Sequence, residues 1–239
     1  MSELLEIKGL VGGYEKDVNI LQGIDMTVAQ GEAVGIIGLN GSGKSTLGKA
    51  VLNLIPYRRG SIVFNGRDVS DKATYKLSRL GIALMHQGGV VFPTLSVWQN
   101  LTLAKASKTF DAHYEQLKQI IPLLSEPKKD LMRTMADRLS GGQRHELALA
   151  MTLSRNPKLV ILDEPSAGLS PKAVKAMYDM LDAVRKQFGV TIVLIEQNVH
   201  QAVAFCDRCL MIKLGTIAGE FLSKNVEEIE DMMFDTEGR

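Results

Sequence analysis

Gly38-Leu39-Asn40-Gly41-Ser42-Gly43-Lys44-Ser45-Thr46 decides how this chain is read. Gly38 and Gly43 enclose four residues and are followed at once by Lys44-Ser45, the pattern of a phosphate-binding loop. Glycines let backbone N–H groups turn inward around a polyphosphate, where larger side chains would block the approach. Before the loop, Ala33-Val34-Gly35-Ile36-Ile37 reads as a buried strand. After it, Leu47 to Leu54 reads as a helix that stops at Pro56. Strand, loop and helix in that order are the context such a loop needs. The helix turns its positive end toward the same anion. Lys44 can reach outer phosphates, and the Ser45 hydroxyl can hold Mg²⁺.

Bulk properties narrow the classes of function. The chain has 239 residues, of which 45% are hydrophobic and 23% charged, ordinary values for a globular protein. That length suits one large domain or a domain carrying an inserted lobe. A net charge of +1 gives no general attraction to nucleic acid or to an anionic membrane. The longest apolar runs are about five or six residues, far short of a membrane span. The start, Met1-Ser2-Glu3-Leu4-Leu5-Glu6, lacks the basic residues and apolar core of a signal peptide. A cytoplasmic location is expected, with any work at a membrane done through partners. Cys206 and Cys209 form a Cys-x-x-Cys without further ligands, and are read as two small buried thiols.

Taken in order, residues 4–10 and 18–28 read as strands. Ile24, Met26 and Val28 alternate with Asp25 and Thr27, as in a half-solvated antiparallel sheet. Gly12-Gly13 is expected to turn between them, with Tyr14 beside the turn. Ser61 to Phe64 is a further strand, closed by the hairpin signal Asn65-Gly66. A helix over 72–79 and a strand over 81–85 lead to the irregular stretch that starts at Gln87-Gly88-Gly89. From about 94 to 139 the pattern is helical, with segments near 96–105, 113–121 and 126–137, broken at Pro122 and Pro127. This predicts a helical lobe inserted over about 88–140 of a single domain spanning 1–239. Leu159 to Leu162 and Val190 to Ile195 then read as buried parallel strands. Between them Val174, Met177, Tyr178, Leu181 and Val184 mark one face of a helix that starts at Pro171 and ends before Gly189. The acidic tail after Glu227 is expected to be a short solvated helix or a frayed end.

Two more motifs follow. Asp163-Glu164 ends the apolar run 159–162, where ligands bind in an open α/β sheet. Asp163 is placed to hold Mg²⁺, and Glu164 to orient or deprotonate an attacking water. Leu139-Ser140-Gly141-Gly142-Gln143 opens a helix over about 142–155. Ser140 can cap that helix, and the glycines leave room for a phosphate at its positive end. A chance match to these five residues is expected in fewer than about one in a thousand such chains.

With that motif the chain resembles, over nearly its full length, the nucleotide-binding subunit of ATP-binding-cassette (ABC) transporters. The resemblance implies a P-loop NTPase of α/β class, with a mostly parallel core sheet, an N-terminal antiparallel β lobe and the inserted helical lobe. It implies ATP and Mg²⁺ as cofactors, and ATP hydrolysis coupled to transport. Tyr14 falls at the position that stacks on adenine. Gln87 falls at the glutamine that touches Mg²⁺ and couples to the membrane subunits. The loop Ser166 to Ser170 crosses to a second ATPase subunit, identical or related, whose Ser140, Gly141, Gly142 and Gln143 complete the site. Transmembrane permease subunits, an indirect solute-binding protein and no nucleic acid are the implied partners, at the inner face of the membrane.

Two departures from the commonest pattern matter. Gln197 stands where many relatives have a histidine after the strand that ends in Glu196, and Leu169-Ser170-Pro171 replaces a Leu-Asp ending. Both, with the short chain, resemble ATPases of branched-chain amino-acid importers. Gln197 is accordingly a candidate catalytic residue, with His200 one turn later as its alternative. His86, His113 and His145 show no ligand spacing and are read as surface or packing residues. The rival readings are an export or lipid-extraction ATPase, a soluble non-transport ATPase of the same family, and a sensor that binds nucleotide without turnover. The single cassette and the absence of a heptad run argue against the non-transport relatives.

Overall fold

Fully buried apolar runs and half-buried alternating ones divide the chain into two kinds of sheet. The computed structural model describes residues 2–16, 18–104, 110–125, 129–222 and 226–234. The chain forms two compact units, one of residues 1–82 with 191–239 and one of residues 83–190. The first holds β1 (Glu3–Gly13), β2 (Leu21–Ala29), β3 (Ala33–Ile37), α1 (Lys44–Val51), β4 (Tyr57–Phe64), β5 (Arg67–Asp68) and α2 (Thr74–Leu80). After β6 (Ile82–Met85), whose last three residues open the second unit, come α3 (Val97–Ala104), α4 (Phe110–Leu117), α5 (Pro122–Ser125) and α6 (Lys129–Arg133). A short 3₁₀ turn, Ala136–Arg138, precedes α7 (Gly141–Leu153), β7 (Leu159–Asp163) and α8 (Pro171–Phe188). The first unit resumes with β8 (Thr191–Glu196), α9 (Val199–Phe205), β9 (Arg208–Lys213), β10 (Thr216–Leu222) and α10 (Val226–Phe234).

In the first unit, β2, β1, β4 and β5 form an antiparallel sheet in that order. Ile24, Met26 and Val28 of β2 are buried while Gln22, Asp25 and Thr27 are exposed, as their alternation predicts. Asn65 and Gly66, with φ of 49° and 70°, make the expected hairpin into β5. A second sheet runs β10-β9-β3-β8, with β3 parallel to both its neighbours. All residues of β3 and β8 are buried, which explains why β3 carries no charged residue and why β8 is apolar from Ile192 to Ile195. Gly35 interrupts β3 because a Cβ there would lie 2.7 Å from Cys209 Sγ and 3.3 Å from Cys206 Sγ. Both thiols are buried and neither is in a disulfide, in keeping with the sequence reading.

The second unit carries β7 beside β6, and the helices α3 to α8. All five residues of β7 are buried. α8 keeps its predicted limits, with Pro171 in its first turn and Gly189 left-handed at its C-terminal cap. Met177, Met180, Leu181 and Val184 form its buried stripe.

Several expectations shift. Gly12-Gly13 is no turn: both residues belong to β1 and pair with β4. Glycine is needed there because a Cβ would meet Tyr57 O at 2.7 Å or Val18 O at 2.2 Å. The helix after the phosphate loop begins at Lys44, not Leu47, and ends at Val51, since Asn53 turns left-handed at φ 56°. β4 starts four residues earlier than expected. The segment expected at 113–121 is α4, which starts earlier and ends at Leu117, and Pro122 starts a further helix, α5, rather than merely ending its predecessor, since its missing N–H costs nothing at a first turn. The segment expected at 126–137 becomes α6 and the 3₁₀ turn, and Pro127 lies outside the described residues. The acidic tail is helical but not simply solvated, because Ile229 of α10 is fully buried.

Candidate functional site

The phosphate-loop residues lie in the first unit, between the C-terminal end of β3 and α1. Gly38, Gly41 and Gly43 have φ of 152°, 80° and 110°, a run of backbone conformations that side chains would strain. A Cβ on Gly38 would come within 2.3 Å of Ile212 O, so the loop follows its path only with glycine there. Leu39, Asn40 and Gly41 are exposed, while Ser42, Gly43, Lys44 and Thr46 are buried. The Lys44 ammonium donates to Gly38 O at 2.7 Å and Leu39 O at 2.9 Å, arching back along the loop. Ser42 Oγ is buried without a hydrogen-bond partner in the structure. No side chain caps α1 at Gly43, and no acidic residue occupies its first turn. The helix therefore keeps its positive end for an anion, and the loop fits a polyphosphate in shape and charge.

Tyr14, which is 44% exposed, follows β1. Lys49 Nζ of α1 stands 5.7 Å from its ring centroid, so the aromatic flanks the helix after the loop. Gln197 is exposed at the end of β8. Register pairs Ile37 with Glu196, which sets Gln197 at the same sheet edge as Gly38, where the loop begins. His200 points elsewhere, its Nε2 3.3 Å from Glu230 of α10.

The carboxylates lie in the second unit. Asp163 closes β7 and is 4% exposed. Glu164 follows in a left-handed conformation, φ 46°, which is rare for a residue with a side chain. Gln87 Nε2 donates a hydrogen bond to Glu164 Oε2. The turn 166–170 runs Ser166 O to Leu169 N at 3.1 Å, with Gly168 at φ 75°. Ser140 caps α7: its Oγ accepts from Gln143 N at 3.2 Å, and its own N–H donates to Gln143 Oε1 at 3.0 Å. The Gln143 side chain is thus committed to the cap. Ser140 and Gly141 are exposed, and nothing lies within 4 Å of where a Gly141 Cβ would be.

Asn100 escaped the sequence reading, which took His145 as a surface or packing residue. Asn100 is fully buried and donates to the carbonyls of Phe92, Leu95 and Ser96, fixing the loop before α3. His145 is buried on α7. His113, also buried, holds Leu153 O at 2.9 Å and stacks edge-on against Phe188, a packing role as expected. His86 is exposed at the rim of an apolar groove lined by Leu84, Met85, Val90, Phe92 and Met151.

As donors, the Ser45 hydroxyl, the Gln87 amide oxygen and the Asp163 carboxylate are hard oxygens of the kind Mg²⁺ prefers. The phosphate loop of the first unit and the paired carboxylates of the second are each motifs of a P-loop nucleotide-binding ATPase. More narrowly, the profile of the ABC transporter family matches residues 21–167, and the chain belongs to that family. It is the ATPase component of such a transporter. It is 33% identical over 218 residues to LivF of Archaeoglobus fulgidus, a probable branched-chain amino acid transport ATP-binding protein, covering 90% of each chain. Over 213 residues it is 32% identical to LptB of Escherichia coli, a lipopolysaccharide export system ATP-binding protein, covering 88% of this chain and 87% of that one. Among solved structures, a dimeric ATP-binding cassette with bound ADP and phosphate matches with a TM-score of 0.78 at 22% identity, over 92% of this chain and 99% of that one. Among the described residues no helix is long and apolar enough to cross a membrane.

Proposed function

We propose that this chain powers import of branched-chain amino acids or similar small solutes, as one of two ATPase subunits docked on permeases at the inner membrane face. The observation that carries its hydrolytic role is the pairing of Gln87 with Glu164 next to the buried Asp163. Lys44 and the loop N–H groups neutralise the outer phosphates of ATP. Tyr14 stacks on the base. Glu164 orients water for attack, and its tie to Gln87 fixes the carboxylate's direction. When bound, Mg²⁺ draws charge off the phosphoryl oxygens; Ser45, Gln87 and Asp163 would hold it. Ser140 and Gly141, exposed at the tip of α7, serve a second copy or a related subunit, which makes closure a condition of hydrolysis. The groove beside Phe92, rimmed by Val90 at 64% and Phe92 at 51% exposure, suits a permease segment. The solute rests on LivF, while LptB supports a second reading, export or extraction of a lipid.

Uptake tests the solute. In cells deleted for the gene, uptake of labelled leucine should return with the parent chain and fail with Glu164→Gln. Leucine uptake unchanged by the deletion would shift the reading toward export.

Tyr14→Ala should weaken ATP binding by roughly 1–2 kcal/mol, the scale of a lost base stack. The maximal rate should change less. Titration with ATP and with GTP is the check, and unchanged affinity for both would leave Tyr14 as a strand-end residue only.

Gln197 is proposed to donate to the γ-phosphate from its amide. Unlike histidine it gains no charge near neutrality, and a charge-assisted bond is about twice as strong as a neutral one. The isolated chain is therefore expected to hydrolyse ATP slowly, with no titration from this position near pH 6.5, where a free histidine titrates. Gln197→His should raise single-turnover rates several-fold or add pH dependence in that range, and Gln197→Ala should lower them. A Gln197→Ala chain that matched the parent across pH would end that role.

A further inference from the structure

We infer that His145 is a positioning residue that sets the glutamine turn, and through it the Gln87–Glu164 pair; this rests on the hydrolytic reading above. His145 lies one turn into α7 and is 5% exposed. Its Nδ1 is 2.9 Å from Gly141 O. A carbonyl can only accept, so Nδ1 carries the proton and donates. The ring's other nitrogen, Nε2, is buried with no hydrogen-bond partner in the structure. A phenyl ring would fill the same space without an unpaired polar atom. What histidine adds is the Nδ1 bond, which holds the ring in one orientation on the helix.

The glutamine turn rests on that ring. Gly89 is buried with φ 61°, and its N–H donates to His86 O at 3.3 Å. A Cβ on Gly89 would stand 3.1 Å from His145 Cγ and 3.2 Å from its Cα, so the turn is packed as close as backbone allows. Two residues earlier on the same turn, Gln87 donates to Glu164. The carbonyl of Gly141, in the exposed tip of α7, is thus joined to the carboxylate by one connected set of contacts: the His145 ring, Gly89, and the Gln87 side chain. All of these lie in the second unit. A shift of His145 moves the turn, and a glutamine displaced by a fraction of an ångström no longer aims Glu164.

A double-mutant cycle tests this. The variants are His145→Ala, Gln87→Ala and the pair, measured by kcat and KM for ATP, single-turnover rates and thermal melting. His145→Ala should lower kcat about tenfold and leave KM within about twofold, since the phosphate-loop residues belong to the first unit and His145 to the second. In the Gln87→Ala background it should bring no further loss. His145→Asn, which keeps a donor for Gly141 O, should recover part of the rate. Should the alanine variant fail to melt cooperatively, the same cycle is run with His145→Phe, which keeps the ring and loses the bond. Equal losses in both backgrounds, or a parental kcat in a folded His145 variant beside a slow Gln87→Ala, would overturn the inference and spare the hydrolytic reading. A parental kcat in Gln87→Ala would overturn both.

Discussion

A chain carrying Glu164→Gln should bind ATP as the parent does and turn it over at least about 100-fold more slowly, the scale of a lost general base. The substitution is nearly isosteric. The new amide oxygen can still accept the hydrogen bond that Gln87 gives to Glu164 in the parent. What disappears is the negative charge that takes up or directs the proton of the attacking water. Lys44 and Ser45 are untouched, so nucleotide should stay bound. If two subunits close on ATP, the variant should accumulate as a dimer with ATP and Mg²⁺ and revert to monomer on exchange into ADP. Single-turnover rates and size-exclusion chromatography read the two effects separately. Near-parental turnover would remove Glu164 from the chemistry.

The second large effect concerns sharing between subunits. Lys44→Ala removes the ammonium that arches over the loop, and Ser140→Arg puts bulk and charge at the exposed tip of α7. Each alone should lose about 100-fold or more in ATP turnover, as when a charge-stabilising donor is removed or blocked. Mixed together, the two chains can pair so that one composite site carries a normal loop and a normal Ser140, while the other carries both lesions. Partial activity should return on mixing. Ser140→Arg also removes the α7 cap, worth about 1 kcal/mol, so its melting temperature is measured alongside. No recovery at any ratio, with mixed dimers demonstrated by tagged chains, would count against a shared site.

What could be read from the sequence was whatever short-range chemistry dictates. Pro171 and Gly189 bound α8 because each has a backbone preference that acts without its neighbours. The alternation in β2 was legible because one face meets the core and the other meets water. The phosphate loop and Asp163-Glu164 were legible because their chemistry tolerates few residue types. Long-range effects were not. Gly12-Gly13 looks like a turn in isolation, but the bareness of Gly12 answers the close approach of Tyr57 from β4. The start of α1 was misplaced because Gly43 is both loop and cap, so Lys44 and Ser45 do double duty. Asn100 and His145 follow no spacing rule. Their importance comes from carbonyls and a glycine brought to them only by folding.

Glu164 sits at φ 46°, in a region that costs a residue with a side chain on the order of 1 kcal/mol relative to glycine. A glycine there would relax the backbone and leave nothing to direct the water. Random substitution screened only for a sturdier fold should therefore keep rediscovering position 164, and should silence the ATPase each time it does. Screening for heat resistance and screening for ATP turnover should therefore pull this one residue in opposite directions.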